Sequence, residues 1–303
     1  MMNKQYHQPV LLKDCINGLN IRESGIYADV TFGGGGHSRE IIKKLGSEGK
    51  LIVFDQDPDA VKNIWEDKRL TFIPQNFRHL SSFLRLHGIK GVDGILADLG
   101  VSSHQFDTGE RGFSIRFEGP LDMRMSKSGT LSAEEILNSY DERKLNEIFR
   151  TYGEINESGR LARSIVNFRS EKRISSTEEL KSMIKSIMPI KEKQNRYMAR
   201  IFQALRIEVN DEMGALKEFL DQAIKVLNPG GRLVVLSYHS LEDRMVKNLI
   251  KTGNTDGKIE KDFYGNIYRP FKQINKKPIE PDAIEIENNK RSRSAKLRIA
   301  EKI

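Results

Sequence analysis

Residues 31–38 read TFGGGGHS, so four consecutive glycines, Gly33 to Gly36, follow directly on a short apolar run at residues 25–30, GIYADV. The run has the character of a β-strand. Residues 38–45 carry Ile41, Ile42 and Leu45 on one helical face. Strand, glycine turn and helix make up the first half of a β–α unit, where glycines let the backbone turn sharply and admit a ligand close to the main chain. Ordering four glycines costs conformational entropy, which favours a ligand-binding loop over a plain linker. The pattern then repeats along the chain. KLIVF at residues 50–54 is a second buried strand ending on Asp55, and Asp57 with Pro58 signals an N-cap and a helix running past Ile64 and Trp65. Residues 70–73 form a third strand, and residues 92–97, VDGILA, a fourth that ends on Asp98. The expected fold class is therefore α/β, with a Rossmann-like parallel sheet.

The glycine loop does not match a dinucleotide fingerprint. A G-x-G-x-x-G run from Gly33 needs glycine at 38, and one from Gly34 needs it at 39, where Ser38 and Arg39 stand. Asp55 at a strand end suits ribose hydroxyls, a feature shared by nicotinamide cofactors and S-adenosylmethionine. Asp29 and Asp98 add carboxylates to the same crevice. Acidic groups suit the sulfonium and amino group of S-adenosylmethionine better than a diphosphate. Taken singly, each of these aspartates also has the form of a helix cap.

Beyond Asp98 the pattern changes. Residues 102–130 are rich in Gly, Arg, Ser and aromatics and lack periodicity, which predicts a long functional loop. Capping boxes at Ser132 with Glu135 and at Ser176 with Glu179 open helices, the second carrying Leu180, Met183, Ile184 and Ile187 and stopped by Pro189. A stripe of Leu145, Ile148, Phe149 and Tyr152 marks a third helix. No strand signal occurs between 130 and 205. The α/β pattern returns with an amphipathic helix at 211–227, NPGGR at 228–232, a fifth strand at 232–237 and a helix from Leu241. Two further strands are expected near 268–274 and 295–300. The expected organisation is a discontinuous domain, 1–107 with 206–303, interrupted at 108–205 by a loop and an all-helical insert.

Of 303 residues, 38% are hydrophobic and 30% charged, a globular composition; no window approaches the roughly 18 apolar residues of a membrane helix. The lone cysteine, Cys15, forbids an internal disulfide or a thiolate metal cluster, and the six histidines show no metal-ligand spacing. A cytoplasmic location, no membrane partner and no metal are expected. The net charge of +8 is unevenly placed. Residues 1–107 hold 13 basic and 13 acidic side chains, 108–205 hold 18 and 14, and 206–303 hold 19 and 15. The excess falls on the segments expected to face a polyanion, as a nucleic-acid contact or as solvated surface.

Eight segments appear in order: TFGGGGHS (31–38), DQDP (55–58), DLGVSS (98–103), ERGFS (110–114), GPLDMRM (119–125), FQALRI (202–207), NPGGR (228–232) and HSLEDR (239–244). Together they resemble the ribosomal RNA small-subunit methyltransferase H family, from about His7 to the LRIAEK at 297–302. GPLDMRM and HSLEDR are specific signatures, whereas NPGGR occurs in many methyltransferases. The resemblance implies a class I methyltransferase sheet with an inserted helical domain. It also implies methyl transfer from S-adenosylmethionine to N4 of a cytidine in the decoding region of 16S rRNA, in the small ribosomal subunit. Carried over by position, it implies cofactor contacts at Gly35, Gly36, His37, Asp55, Phe77, Asp98 and Gln105. One departure is visible: where the family commonly shows His-Pro-Ala-Thr-Arg before FQALRI, this chain has Arg196, Tyr197, Met198, Ala199 and Arg200. A homodimer is left open.

Methylating an exocyclic amine needs the amine's hydrogen bonds accepted and both reactants positioned; no covalent nucleophile is required. Carbon-5 methylation of cytosine uses a cysteine nucleophile, and Cys15 in the N-terminal lead does not suit that part. Asp98, or a carbonyl beside it, is the expected amine acceptor, with Phe113 or Tyr238 as the stacking face and His239 as a general base or a structural strand-end group. Arg111, Arg116 and Arg124 beside Phe113 and Phe117 suit phosphate and unstacked bases, though Asp122 and Arg124 also have the form of a structural pair. Arg291 and Arg293 extend the expected RNA contact. A nicotinamide oxidoreductase and a non-catalytic ribosome-binding factor are the competing readings.

Overall fold

The structure, a computed structural model, describes residues 9–126, 129–188, 193–261, 263–265 and 268–303, without the side chains of 103 and 104. Two compact units divide the chain: residues 1–100 with 213–303, and residues 101–212.

The first unit holds a seven-stranded sheet built from β1 (Ile26–Asp29), β2 (Lys50–Phe54), β3 (Leu70–Ile73), β4 (Val92–Asp98), β5 (Leu227–Ser237), β6 (Phe271–Gln273) and β7 (Lys296–Lys302). Its order is β3-β2-β1-β4-β5-β7-β6. The first five strands are parallel, and β7 runs antiparallel between β5 and β6. This is the class I methyltransferase sheet expected from the sequence. Strands such as LIVF at 51–54 are buried on both faces, which is why they read as unbroken apolar runs. One face packs around Ile95, Leu216, Phe219 and Leu220, the other around Leu19, Ile41, Leu51 and Leu297.

The helices covering this sheet are α1 (Leu12–Leu19), α2 (Gly36–Lys44), α3 (Leu80–Leu86), α10 (Glu212–Val226), α11 (Ser240–Thr252) and α12 (Ala283–Asn288). Helix α1 starts without a side-chain cap, from a left-handed Leu11, and so left no capping signal in the sequence. Asp57 does cap its helix, accepting from the Asp59 N–H at 3.0 Å. That helix is only a 3₁₀ segment, Pro58–Asn63, and does not continue past Trp65 as the sequence suggested. The NPGG turn merges into the start of β5, with Gly230 at φ +77°.

The second unit is helical: α4 (Ser103–Asp107), α5 (Ala133–Ser139), α6 (Glu142–Thr151), α7 (Ser158–Glu171), α8 (Thr177–Ile187) and α9 (Gln194–Asn210). Capping boxes at Ser132–Glu135 and Ser176–Glu179 are present as read. Pro189, the expected stop of α8, lies outside the described residues. The long segment at 102–130 is not wholly irregular: it contains α4 and a 3₁₀ turn at Gly109–Arg111. The observed unit boundaries also differ from 107 and 205, because α9 runs unbroken across 205. Its core gathers Leu121, Ile136, Phe149, Ile165, Leu180 and Ile201. Among the described residues no helix is long and apolar enough to cross a membrane.

Candidate functional site

The order of the parallel strands reverses between β1 and β4, and open α/β sheets bind ligands beyond the strand ends at such a switch point. Asp29 ends β1, Asp98 ends β4 and Asp55 follows β2, so the register brings three carboxylates to this edge.

The glycine loop is built around them. The Gly33 N–H donates to Asp55 Oδ2 at 2.7 Å, and Asn63 Nδ2 donates to the Gly33 carbonyl at 2.9 Å. Gly35 sits at φ +73°, and a Cβ there would stand 3.0 Å from the Phe32 ring and 3.1 Å from Trp65. At Gly36 a Cβ would fall 2.2 Å from Pro9 Cγ, whereas at Gly34 it would meet nothing within 4 Å. The loop is thus fixed from below and open above Gly34. Trp65 packs on Phe32 at 6.0 Å, and the Arg39 guanidinium lies 4.2 Å over its ring. The sequence reading assigned Trp65 no role here.

Asp55 also accepts from the Asp57 N–H at 2.8 Å, yet burial outweighs these bonds and lifts its carboxyl to about 6. Asp29 is buried, accepting from Ser38 Oγ at 2.6 Å and the Thr31 N–H at 3.1 Å. Burial raises its carboxyl as well. Asp98 takes the Tyr238 hydroxyl on Oδ1 at 2.7 Å, and its Oδ2 stands 3.8 Å from His37 Nδ1. His37 Nε2 faces the Val10 carbonyl at 3.1 Å; a carbonyl only accepts, so Nε2 carries a proton and Nδ1 is turned to Asp98. The Asp98 carboxyl is raised by burial, opposed by His37 and by the Tyr238 bond. A carboxylate offers about four lone-pair directions. With its side chain 24% exposed, Asp98 keeps capacity toward solvent.

The HSLEDR segment fixes the neighbouring strand end. His239 is the N-cap of α11, with Nδ1 accepting from the Glu242 N–H at 3.4 Å. Glu242 Oε2 accepts from the N–H groups of Tyr238 at 2.8 Å and His239 at 3.3 Å. His239 Nδ1 thus closes a helix cap, the structural alternative in the sequence reading, while its Nε2 stands 3.2 Å from Glu242 Oε1. Asp243 holds Arg298 through two bonds, at 2.6 and 3.1 Å, tying α11 to β7. Cys15 is buried with its thiol pushed well up, so it presents no thiolate.

The structure gathers Gly35, Gly36, His37, Asp55 and Asp98 at one sheet edge. Phe77, just past β3, packs edge to face on Phe219 at 5.4 Å. Gln105 belongs to the second unit, where its Oε1 accepts from the Ser102 N–H at 3.1 Å. Three substrate candidates of that unit have partners within it. Arg111 donates to the carbonyls of Arg124 at 3.0 Å and Met125 at 3.1 Å, and Phe113 is 4% exposed within the core. Arg124 is held by both oxygens of Asp122 and by the Gly129 carbonyl. Arg116 and Phe117 remain on the surface. In the departing 196–200 run, Tyr197 and Met198 are core residues, and Arg200 donates to the carbonyls of Gly153 and Glu154. Arg291 is half-buried and Arg293 exposed in the 3₁₀ segment Lys290–Ser294.

A profile of the MraW methylase family matches residues 4–303. The chain belongs to this family. A protein named Ribosomal RNA small subunit methyltransferase H from Bacteroides thetaiotaomicron is 57% identical over 297 residues, covering 98% of this chain and 97% of that one. Proteins of the same name are 56% identical over 299 residues in Flavobacterium johnsoniae (99% and 98% covered) and 53% over 303 residues in Christiangramia forsetii (both chains covered fully). An rRNA methylase from Streptococcus thermophilus aligns over 100% of this chain and 99% of its own at 11% identity and a TM-score of 0.41. The family profile and these curated relatives agree with the family read from the motifs. The class I sheet, in a methylase, makes S-adenosylmethionine the methyl donor. The donor set fits it: carboxylates at the switch point face a cationic ligand, and a loop open above Gly34 lets one lie against the backbone.

Proposed function

We propose that this methylase transfers a methyl group from S-adenosylmethionine to the N4 amine of a cytidine in the decoding region of 16S rRNA, acting on the small ribosomal subunit in the cytoplasm. Methylation of rRNA is supported by near full-length identity to relatives named for it. The observation that carries the chemistry is Asp98, an acceptor at the switch point oriented by the Tyr238 hydroxyl and faced by His37.

S-adenosylmethionine supplies an electrophilic methyl group. The residues of the chain bind and orient. Asp55 accepts ribose hydroxyls, while the backbone at Gly35 and Gly36, with His37, Phe77 and Gln105, lines the cofactor. Asp98 accepts an N–H of the target amine and so turns the nitrogen lone pair toward the methyl group. The Tyr238 hydroxyl holds that carboxylate in place. The second unit recognises substrate through surface groups such as Arg116, and Arg291 and Arg293 add phosphate contacts in the first.

Incubation with labelled S-adenosylmethionine and small ribosomal subunits, followed by digestion and mass spectrometry, tests the reading. The expected product is one N4-methylcytidine in the decoding region. Label on carbon 5 or on another nucleotide refutes the specificity, and absence of label favours a non-catalytic binding factor.

A further inference from the structure

Past α11 the chain enters a segment unlike the rest of the surface. Phe263 is 97% exposed and Tyr264 86%, and their rings meet edge to face at 5.6 Å. Ile259 and Tyr268 are also exposed. A folded chain rarely leaves a phenylalanine fully in water, and scattered exposed residues do not come as a paired set of rings. The aromatic side chains stand on a braced base. Gly253 ends α11 at φ +80°, and a Cβ there would fall 2.9 Å from the Tyr268 carbonyl, so Tyr268 lies close against the helix end. Asn254 brackets Lys258, accepting from its N–H at 3.0 Å and donating to its carbonyl at 2.6 Å, and the Tyr268 N–H donates to the Glu260 carbonyl at 3.2 Å. Asn248 Nδ2 donates to the Thr255 carbonyl at 3.1 Å.

Charge indicates the partner. Residues 256–277 hold six basic side chains against three acidic ones, and Lys258, Lys261 and Arg269 are exposed within a few residues of the rings in sequence. We propose that this segment is a stacking platform for an unpaired stretch of RNA outside the methyl-transfer site, a proposal that rests on the rRNA reading above. Unpaired bases offer faces to aromatic rings while the neighbouring phosphates meet lysine and arginine. A duplex keeps its base faces stacked and out of reach. An apolar protein groove would take the rings but leave the surrounding cations uncompensated.

The test is fluorescence anisotropy of an end-labelled, unstructured RNA of about 20 nucleotides, long enough to cover a site of this kind, with the full chain and its Phe263→Ala/Tyr264→Ala variant. The variant is expected to bind the single strand roughly tenfold more weakly, the scale of losing base–aromatic stacking. It should keep its affinity for the same strand in a duplex, for S-adenosylmethionine, and its thermal midpoint. A Phe263→Trp/Tyr264→Phe variant should restore binding. Unchanged single-strand affinity, or an equal loss on the duplex, overturns the proposal. So does aromatic-dependent capture by anionic phosphatidylserine vesicles with RNA binding unchanged, which would make the segment a membrane contact. If the wild-type chain leaves rRNA unmethylated yet the oligonucleotide result holds, the catalytic reading fails and the platform stands.

Discussion

At the strand ends of the first unit, Asp29, Asp55 and Asp98 are enclosed by hydroxyls, backbone N–H groups and one imidazole, and burial raises all three carboxyls. In the helical unit, Arg111, Arg124 and Arg200 lie against backbone carbonyls, and Arg124 is also clasped by Asp122. Both regions looked functional in the sequence, one for its acids and the other for its arginines. Their partners separate them. A carboxylate beyond a parallel strand meets only the few donors its loop supplies and retains acceptor capacity. A guanidinium threaded into a glycine-rich loop finds carbonyls that the irregular backbone leaves unpaired, and its five donors bind them. Arginine in such a loop is as much an instrument of folding as of recognition.

The sharpest way to break this contrast is at Asp98. Asp98→Asn should lower methyl transfer about 100-fold, the scale of misplacing a reacting group, with the fold intact by circular dichroism and cofactor binding followed by calorimetry. Retained turnover would make Asp98 one more brace. The opposite test is Arg111→Ala. Leaving the carbonyls of Arg124 and Met125 buried without a donor should cost about 2 kcal/mol in stability, seen as a lower denaturation midpoint in urea. Arg116→Ala, on an exposed side chain, should leave the midpoint unchanged and weaken substrate binding. If Arg111→Ala unfolds at the wild-type midpoint, the assignment of that arginine to the fold is wrong.

Legibility followed the same division. The central strands β2 and β4 were plain because both faces are buried, and TFGGGGHS was plain because glycines behind a strand have few uses. The helices that escaped notice lack the usual marks: α1 has no side-chain cap, and α7 reads SGRLARSIVNFRSE, where Leu161, Ala162 and Ile165 provide a narrow buried stripe. In α9 the FQALRI motif drew attention as a signature, yet Ile201, Phe202 and Leu205 within it are core. The strand-end positions of Asp55 and Asp98 were readable from the apolar runs before them. The tie of Asp98 to Tyr238 spans 140 residues and is written in neither local sequence. The partners of the arginines were not legible because sequence shows a charge but not the carbonyls around it.

Asp55 sharpens the acidic side through pH. Its folded carboxyl titrates at about 6 against an ordinary value of 3.8. Below both values the folded and unfolded chains are equally protonated. As pH rises between them the unfolded chain ionises first, so stability falls through this window and levels off above 6. Asp55→Asn should remove that slope from the urea midpoints. Cofactor hydroxyls donate to the ionised form, so affinity for S-adenosylmethionine should rise several-fold from pH 5 to pH 7 and then flatten, a dependence the variant lacks. Affinity that grows on acidification would show that the protonated carboxyl is the binding form.

The smallest effect lies in the C-terminal basic run, where both behaviours occur within a few residues. Arg298 is spent on Asp243, while Arg293 is exposed and Arg291 half-buried around the buried Ser292. If solvent access marks a substrate contact, removing Arg291 and Arg293 together should lower the slope of log affinity against log salt. The expected reduction is about 0.7 to 1.8, according to whether one or both touch phosphate. S-adenosylmethionine affinity should not change. Arg298→Ala should instead lower the urea midpoint at unchanged salt slope, because its guanidinium holds α11 to β7 and is buried away from solvent. An equal loss of cofactor affinity in the Arg291/Arg293 variant would mean that this run braces the first unit as Arg111 braces the second, and exposure would then no longer tell the two kinds of arginine apart.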